Sequence, residues 1–157
     1  ELEQHNILWS KTNVYIVQEL LGIGTFGNVV KGFIEGTNQK LAIKILKNTP
    51  YAVKDAEEEV EILSQLSKEQ PDEFNVVKQY EYFQHNNNNC IMFEMLDISL
   101  YDFIKKRMFS PLPVKHIRPI VEQVGSALAK LKSLGIIHTD LKPENIMMVD
   151  TARHSLK

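Results

Sequence analysis

In the first half of the chain, apolar residues come in short runs rich in β-branched and aromatic side chains; in the second half they recur at helical spacing. Residues 14–21, 28–33 and 40–46 have the composition of strands. A glycine-rich turn at 22–27 and the segment Glu35-Gly36-Thr37-Asn38-Gln39 separate them. Three strands with two short connections predict an antiparallel meander. Residues 51–66 change period. At about 100° per residue, Ala52, Val53, Ala56, Val60, Leu63 and Leu66 share one helix face, while Glu57, Glu58 and Glu61 point elsewhere. Glu59 falls inside that apolar stripe. A carboxylate there must find a partner, stay uncharged, or reach water past the helix edge.

Residues 74–83 and 90–95 read as two more strands joined by the Asn-rich loop 85–89. A short helix is expected over 97–108, with Leu100, Phe103 and Ile104 on one side. Ser110-Pro111-Leu112-Pro113 breaks the chain and starts a longer helix over 114–134, whose stripe is Ile117, Ile120, Val121, Val124, Leu128 and Leu131. Pro119 fits only near the first turns of that helix, and Ser133-Leu134-Gly135 supplies its stop. Short apolar stretches then alternate with a polar loop through 136–150. A β-rich half with one helix, followed by a helical half, is an α+β, two-lobe pattern dividing near Met95-Leu96-Asp97.

Composition narrows the class. The 157 residues are 43% apolar and 24% charged, which suits a globular chain and excludes collagen-like, mucin-like and disordered readings. Apolar runs such as Ile146-Met147-Met148-Val149 fall far short of the roughly 20 residues of a membrane span. A net charge of −2 leaves no electrostatic footprint for direct nucleic-acid or anionic-membrane binding. The single cysteine, Cys90, excludes an internal disulfide and suits a reducing compartment. Residues 1–5 lack the pattern of a secretory leader, so an intracellular chain is expected.

Three motifs carry chemistry. Gly22-Ile23-Gly24-Thr25-Phe26-Gly27-Asn28-Val29 could open a dinucleotide fold, but the strand-forming residues after it favour a hairpin whose backbone approaches triphosphate oxygens. An ordinary Gly-rich turn is the other reading. Lys44, inside the apolar strand Leu41-Ala42-Ile43-Lys44-Ile45-Leu46, needs an anionic partner, and phosphates and Glu59 are both available. The segment His138-Thr139-Asp140-Leu141-Lys142-Pro143-Glu144-Asn145 matches the catalytic-loop pattern of phosphoryl-transfer enzymes at all but one specified position. Chance coincidence in a chain of this length is on the order of 10⁻⁵. Asp140 could accept a substrate hydroxyl's proton, Lys142 could neutralise the moving phosphoryl group, and Asn145 could offer Mg²⁺ a hard oxygen. His138 is expected to be a packed, hydrogen-bonded residue.

With these stretches the sequence resembles a eukaryotic-type protein kinase from about Val14 onward. It is most similar to the homeodomain-interacting protein kinases, through 21–31, 42–48, 93–96, 100–105, 109–113, 117–119 and 131–147. The resemblance implies a kinase N-lobe over 14–96 with a hinge at 93–96, a partial C-lobe over 97–157 and an N-terminal extension over 1–13. It implies that Gly22, Gly24 and Gly27, with Thr25 and Phe26 between them, form a loop over ATP. Leu21, Val29, Ala42 and Met147 would line the adenine slot. Phe93 would be the gatekeeper, and Glu94 and Leu96 would present hinge backbone groups to adenine. Lys44 would hold the α- and β-phosphates and pair with Glu59. Asp140 and Lys142 would serve catalysis, and Asn145 the metal.

The implied activity is transfer of the ATP γ-phosphoryl group, with Mg²⁺, to serine or threonine hydroxyls of proteins, alongside tyrosine autophosphorylation. Transcription regulators are the implied substrates and the nucleus the implied compartment, with the cytoplasm left open. Thr139 stands where most protein kinases have arginine, which implies a different activation mode. The 157 residues contain no Asp-Phe-Gly. The chain is therefore expected to be a truncated kinase that is inactive alone; the competing expectation is a catalytically dead kinase-like module that binds protein partners.

Overall fold

The computed structural model describes residues 7–24, 27–48, 50–68 and 73–150, and within the first helix the side chains of 50–53, 55 and 56 are not described. Thr25 and Phe26, and the apolar side chains expected at Ala52, Val53 and Ala56, lie outside what is described. The chain divides into two compact units, one of residues 1–71 and 77–95, the other of 72–76 and 96–157.

The first unit is a six-stranded antiparallel sheet with one helix. The strands are β1 (Ile7–Trp9), β2 (Val14–Ile23), β3 (Gly27–Ile34), β4 (Lys40–Leu46), β5 (Gln79–His85) and β6 (Asn88–Glu94), in the order β1-β2-β3-β4-β6-β5. The expected meander is β2-β3-β4. Beyond it, β6 pairs with β4, setting Ala42 opposite Phe93 and Lys44 opposite Ile91. Asn86 and Asn87, at φ 48° and 62°, make the tight turn of the β5–β6 hairpin. That turn is shorter than the expected five-residue loop. The two ends of the sheet meet through side chains. The Trp9 backbone N–H donates to His85 Nδ1 at 3.4 Å, and the two rings stand edge to face with centroids 4.1 Å apart.

Period-2 alternation sorts the sheet's residues. Leu41 and Ile43 point into the main core with Leu8, Tyr15, Val30, Phe83, Cys90 and Met92. Burial pushes the Cys90 thiol up to about 12, so it stays protonated and unreactive near neutral pH. Ala42, Lys44 and Leu46 take the other face. There Leu46 and Ile91 are buried against Val60, Leu63 and Phe93. Val60 and Leu63 come from α1 (Pro50–Ser67), so the helical stripe expected from periodicity is the face that meets the sheet.

The second unit holds α2 (Leu100–Lys106), α3 (Val114–Ser133) and a single 3₁₀ turn, Pro143–Asn145. Ser99 caps α2, accepting from Asp102 N at 3.0 Å while its hydroxyl donates to Asp102 Oδ2 at 2.7 Å. Pro119 lies in the second turn of α3, close enough to the start for the helix to continue. Phe74, expected to begin a strand, belongs to this unit and lies under the Lys130 ammonium, 4.5 Å from ring centroid to Nζ. The expected strands within 136–150 reduce to one bridge, Ser99 with Met147, braced by Asp97 N to Met148 O (2.8 Å) and Leu100 N to Ile146 O (2.7 Å).

Candidate active site

Gly22, Ile23 and Gly27 of the glycine-rich segment are strand residues. The segment's two limbs are the end of β2 and the start of β3, paired as Gly22 with Val29 and Ile23 with Asn28. The register shifts between Leu20 and Gly22, so Leu21 is an extra, bulged residue, 44% exposed. The glycines do different work. A Cβ on Gly22 would meet nothing within 4 Å, which leaves its backbone open to a ligand. A Cβ on Gly27 would run into the Ile45 carbonyl oxygen and lie 3.0 Å from Leu46 Cα. Gly27→Ala is therefore expected to destabilise the fold by about 3 kcal/mol, whereas Gly22→Ala should leave the melting temperature within about 2 °C and weaken only nucleotide binding. Thermal denaturation beside ATP titration separates the two; equal melting temperatures would contradict the assignment.

Lys44 sits mid-strand, opposite Val29 on one side and Ile91 on the other. Directly opposed residues share a sheet face, so Val29, Ala42, Lys44 and Phe93 all lie on the face that carries α1. From α1, Glu59 reaches back to the lysine. Lys44 Nζ donates to Oε1 at 2.6 Å and to Oε2 at 2.7 Å. The pair is half-buried, with side-chain exposures of 22% and 36%. Glu59 thus finds the partner its place in the apolar stripe requires. Glu94 donates its N–H to Lys78 O at 2.9 Å and accepts the Lys78 N–H on its carboxylate at 2.8 Å. Its backbone donor is committed within the sheet, so its carbonyl is the group it has to offer.

In the second unit, 138–145 forms a compact polar loop. Asp140 N–H donates to the His138 carbonyl at 2.9 Å, closing a three-residue turn around Thr139, and lies 3.3 Å from His138 Nδ1. Thr139 takes φ 64°, an unusual conformation for a β-branched residue. His138 is hydrogen-bonded as expected but exposed rather than packed. The Asp140 carboxylate is held from two sides, by Lys142 Nζ on Oδ1 at 3.0 Å and by Asn145 Nδ2 on Oδ2 at 3.0 Å. Asn145 Nδ2 also donates to the Asp140 carbonyl at 2.7 Å. The Lys142 and Asn145 hydrogen bonds, in that order, hold the Asp140 carboxyl below the usual aspartate range. It is an ionised acceptor at neutral pH. Leu96 precedes this unit's bridged segment, and Met147 pairs with Ser99.

The donor chemistry fits Mg²⁺ in part. With its amide nitrogen turned to Asp140, Asn145 retains a hard amide oxygen. Among the described residues no group of three His, Cys, Asp or Glu could hold a metal, so Asn145 would supply one ligand of a set that these residues do not complete.

A lysine fixed by a helix glutamate, a glycine hairpin on the same sheet and an oriented aspartate-lysine-asparagine loop are groups of the kind that phosphoryl transfer uses. Residues 15–157 match the protein kinase domain. The chain belongs to that family. Over 98% of its length it is 58% identical to homeodomain-interacting protein kinase 2 of Mus musculus, and equally to homeodomain-interacting protein kinase 1 of the same species. Homeodomain-interacting protein kinase 1 of Caenorhabditis elegans is 56% identical over 88% of the chain, which covers 16% of that relative. The chain spans 13% of either mouse relative's length. A crystal structure of a kinase domain superposes with a TM-score of 0.87 at 27% identity, over 96% of this chain and 43% of that one. No helix among the described residues is long and apolar enough to cross a membrane.

Proposed function

We propose that this chain carries the nucleotide-binding and catalytic-loop parts of a serine/threonine protein kinase that uses ATP and acts on protein hydroxyls. The observation that carries this reading is the Lys44–Glu59 ion pair, with both carboxylate oxygens within 2.7 Å of the ammonium. Such a fixed cation is what a phosphate chain requires. Lys44 holds the α- and β-phosphates, and the open backbone at Gly22 lets the hairpin approach them. Val29 and Ala42 give the adenine an apolar surface beside Phe93, with Leu21 as further lining. The Glu94 carbonyl and Leu96 serve its polar edge. Asp140 accepts the hydroxyl proton of the substrate, and Lys142 neutralises charge on the transferring group. Mg²⁺, when bound, would offset phosphate charge, with Asn145 as its ligand from these residues.

The substrates we propose are transcription regulators, and the compartment the nucleus. The names of the mouse and nematode relatives support the first. Thr139, in place of the usual arginine, supports a different activation mode, and from the family resemblance we propose tyrosine autophosphorylation for it.

Nucleotide titration and transfer assays test the reading. The 157-residue chain is expected to bind ATP weakly and to give no phosphoprotein. The same chain continued through a complete kinase domain should phosphorylate a generic serine/threonine protein substrate. Transfer by the 157 residues alone, or none by the continued chain, would overturn it.

A further inference from the structure

Away from every residue assigned to phosphoryl transfer, a cavity of about 480 Å³ opens at one end of the first unit's sheet. This is within the range of small-ligand sites. Its floor is Tyr15, Leu41 and Met92, all buried, and Ile34 and Tyr80 wall it. One charged side chain enters this apolar space, Glu81. Its carboxylate is held by neutral donors. The Thr12 hydroxyl donates to Oε1 at 3.2 Å, and the Tyr15 hydroxyl donates to Oε2. Burial pushes the Glu81 carboxyl up, but hydrogen bonds from Tyr15, Ser10, Thr12 and Asn13 together outweigh it and keep the group below its usual range.

Hydroxyls orient a charge without cancelling it. Among the described residues no cation forms an ion pair with Glu81. Lys78 lies near, but over the Tyr80 ring, 5.6 Å from its centroid. Among the described residues the cavity therefore presents a partly exposed carboxylate without an ion-pair partner, next to apolar side chains and an aromatic ring that is 46% exposed. Its complement is a cation with a flat, weakly hydrated head and an apolar stem. Guanidinium meets that description better than ammonium, because it pairs two N–H groups with a carboxylate and stacks on aromatic faces. At the rim, the Asn13 and Gln39 side-chain amides suit a peptide backbone.

We propose that this cavity docks one arginine side chain of a partner's peptide segment, with the guanidinium on Glu81 and the methylene stem against Ile34 and Tyr80.

The test uses the 157-residue chain and three small probes: N-acetyl-arginine methylamide, its lysine counterpart and its neutral citrulline counterpart. Methyl NMR signals of Met92, Ile34 and Leu41 report on the cavity. The arginine probe should give saturable shifts at these methyls, and the citrulline probe should bind at least about tenfold more weakly, the cost of losing a charge-assisted hydrogen bond. Glu81→Gln should lose about as much. Gln39→Lys leaves Glu81 and its partners in place and puts a resident cation at the rim; it should block the arginine probe even if Glu81→Gln perturbs the fold. Absence of saturable shifts, equal binding of citrulline, equal or tighter binding of lysine, or unchanged binding to Gln39→Lys would each overturn the proposal.

Discussion

Asp140→Asn is expected to lower phosphoryl transfer by about 10²–10⁴-fold, the range for loss of a positioned general base, in the chain continued through a complete kinase domain. Asparagine can keep the contacts with Lys142 and Asn145 but cannot take a proton. The effect should fall on kcat, with little change in ATP affinity, because Lys44, the lysine proposed to hold the phosphates, belongs to the other unit. The pH profile makes the assignment sharper. Lys142 and then Asn145 hold the Asp140 carboxyl below the usual aspartate range. A depressed value means the base form is present above it and is lost as pH falls through it. The acid limb of kcat/KM should therefore lie below the ordinary aspartate value of 3.8. Lys142→Met should move that limb upward. A limb near neutrality that Lys142→Met leaves unmoved would assign the base to another group.

Lys44→Met should cost transfer at least about 10²-fold, comparable to removing a preorganised donor from developing charge, with almost no cost in stability. Glu59 is 36% exposed on its side chain, so it can hydrate once the lysine is gone, and a pair this accessible contributes about 1 kcal/mol or less. The melting temperature should drop by a few degrees at most. Glu59→Gln keeps the cation but loosens it, with an expected loss of roughly tenfold, and the double variant should be no worse than Lys44→Met alone, since the two act as a unit. Calorimetric ATP titration and initial-rate assays check this. Additive losses would mean that Glu59 acts elsewhere than through Lys44.

The site residues were legible for two different reasons. Lys44 stood out as a charge in an apolar strand, and Glu59 as a charge in an apolar helix stripe; two such anomalies, each needing a partner, found each other. Asp140, Lys142 and Asn145 were legible because their spacing is short and local, so a motif holds most of their geometry. What spacing does not hold is how the loop satisfies itself. The motif alone points Lys142 at a phosphoryl group, and in the structure it pairs with Asp140. The left-handed backbone at Thr139 was invisible because nothing local in a β-branched residue favours it.

Element boundaries failed where a distant contact outbid local preference. Phe74 has strand propensity, but its ring belongs with Lys130 in the second unit, so β5 begins only at Gln79. The first helix of the second half begins at Leu100 instead of 97, because Ser99 caps it through the Ser99-x-x-Asp102 pattern. The strand Ile7–Trp9 was missed, and with it an edge of the sheet, since three residues carry too little pattern. The placing of β6 between β4 and β5 depends on pairing some fifty residues apart in sequence, from Ile45 opposite Cys90 to Leu41 opposite Glu94, which propensity does not encode.

The meeting of Trp9 with His85 has a consequence for the molecule among its neighbours. Sheets that end in a long, bare strand recruit other chains by lending them a ladder to extend. Here the outermost strand on one side is three residues long, and one of its few backbone donors already faces an imidazole. A crowding chain finds little of β1 itself to extend, although β2 runs on past it to Ile23. Three residues at the margin of the fold thus shorten the ladder on offer at that corner of the sheet.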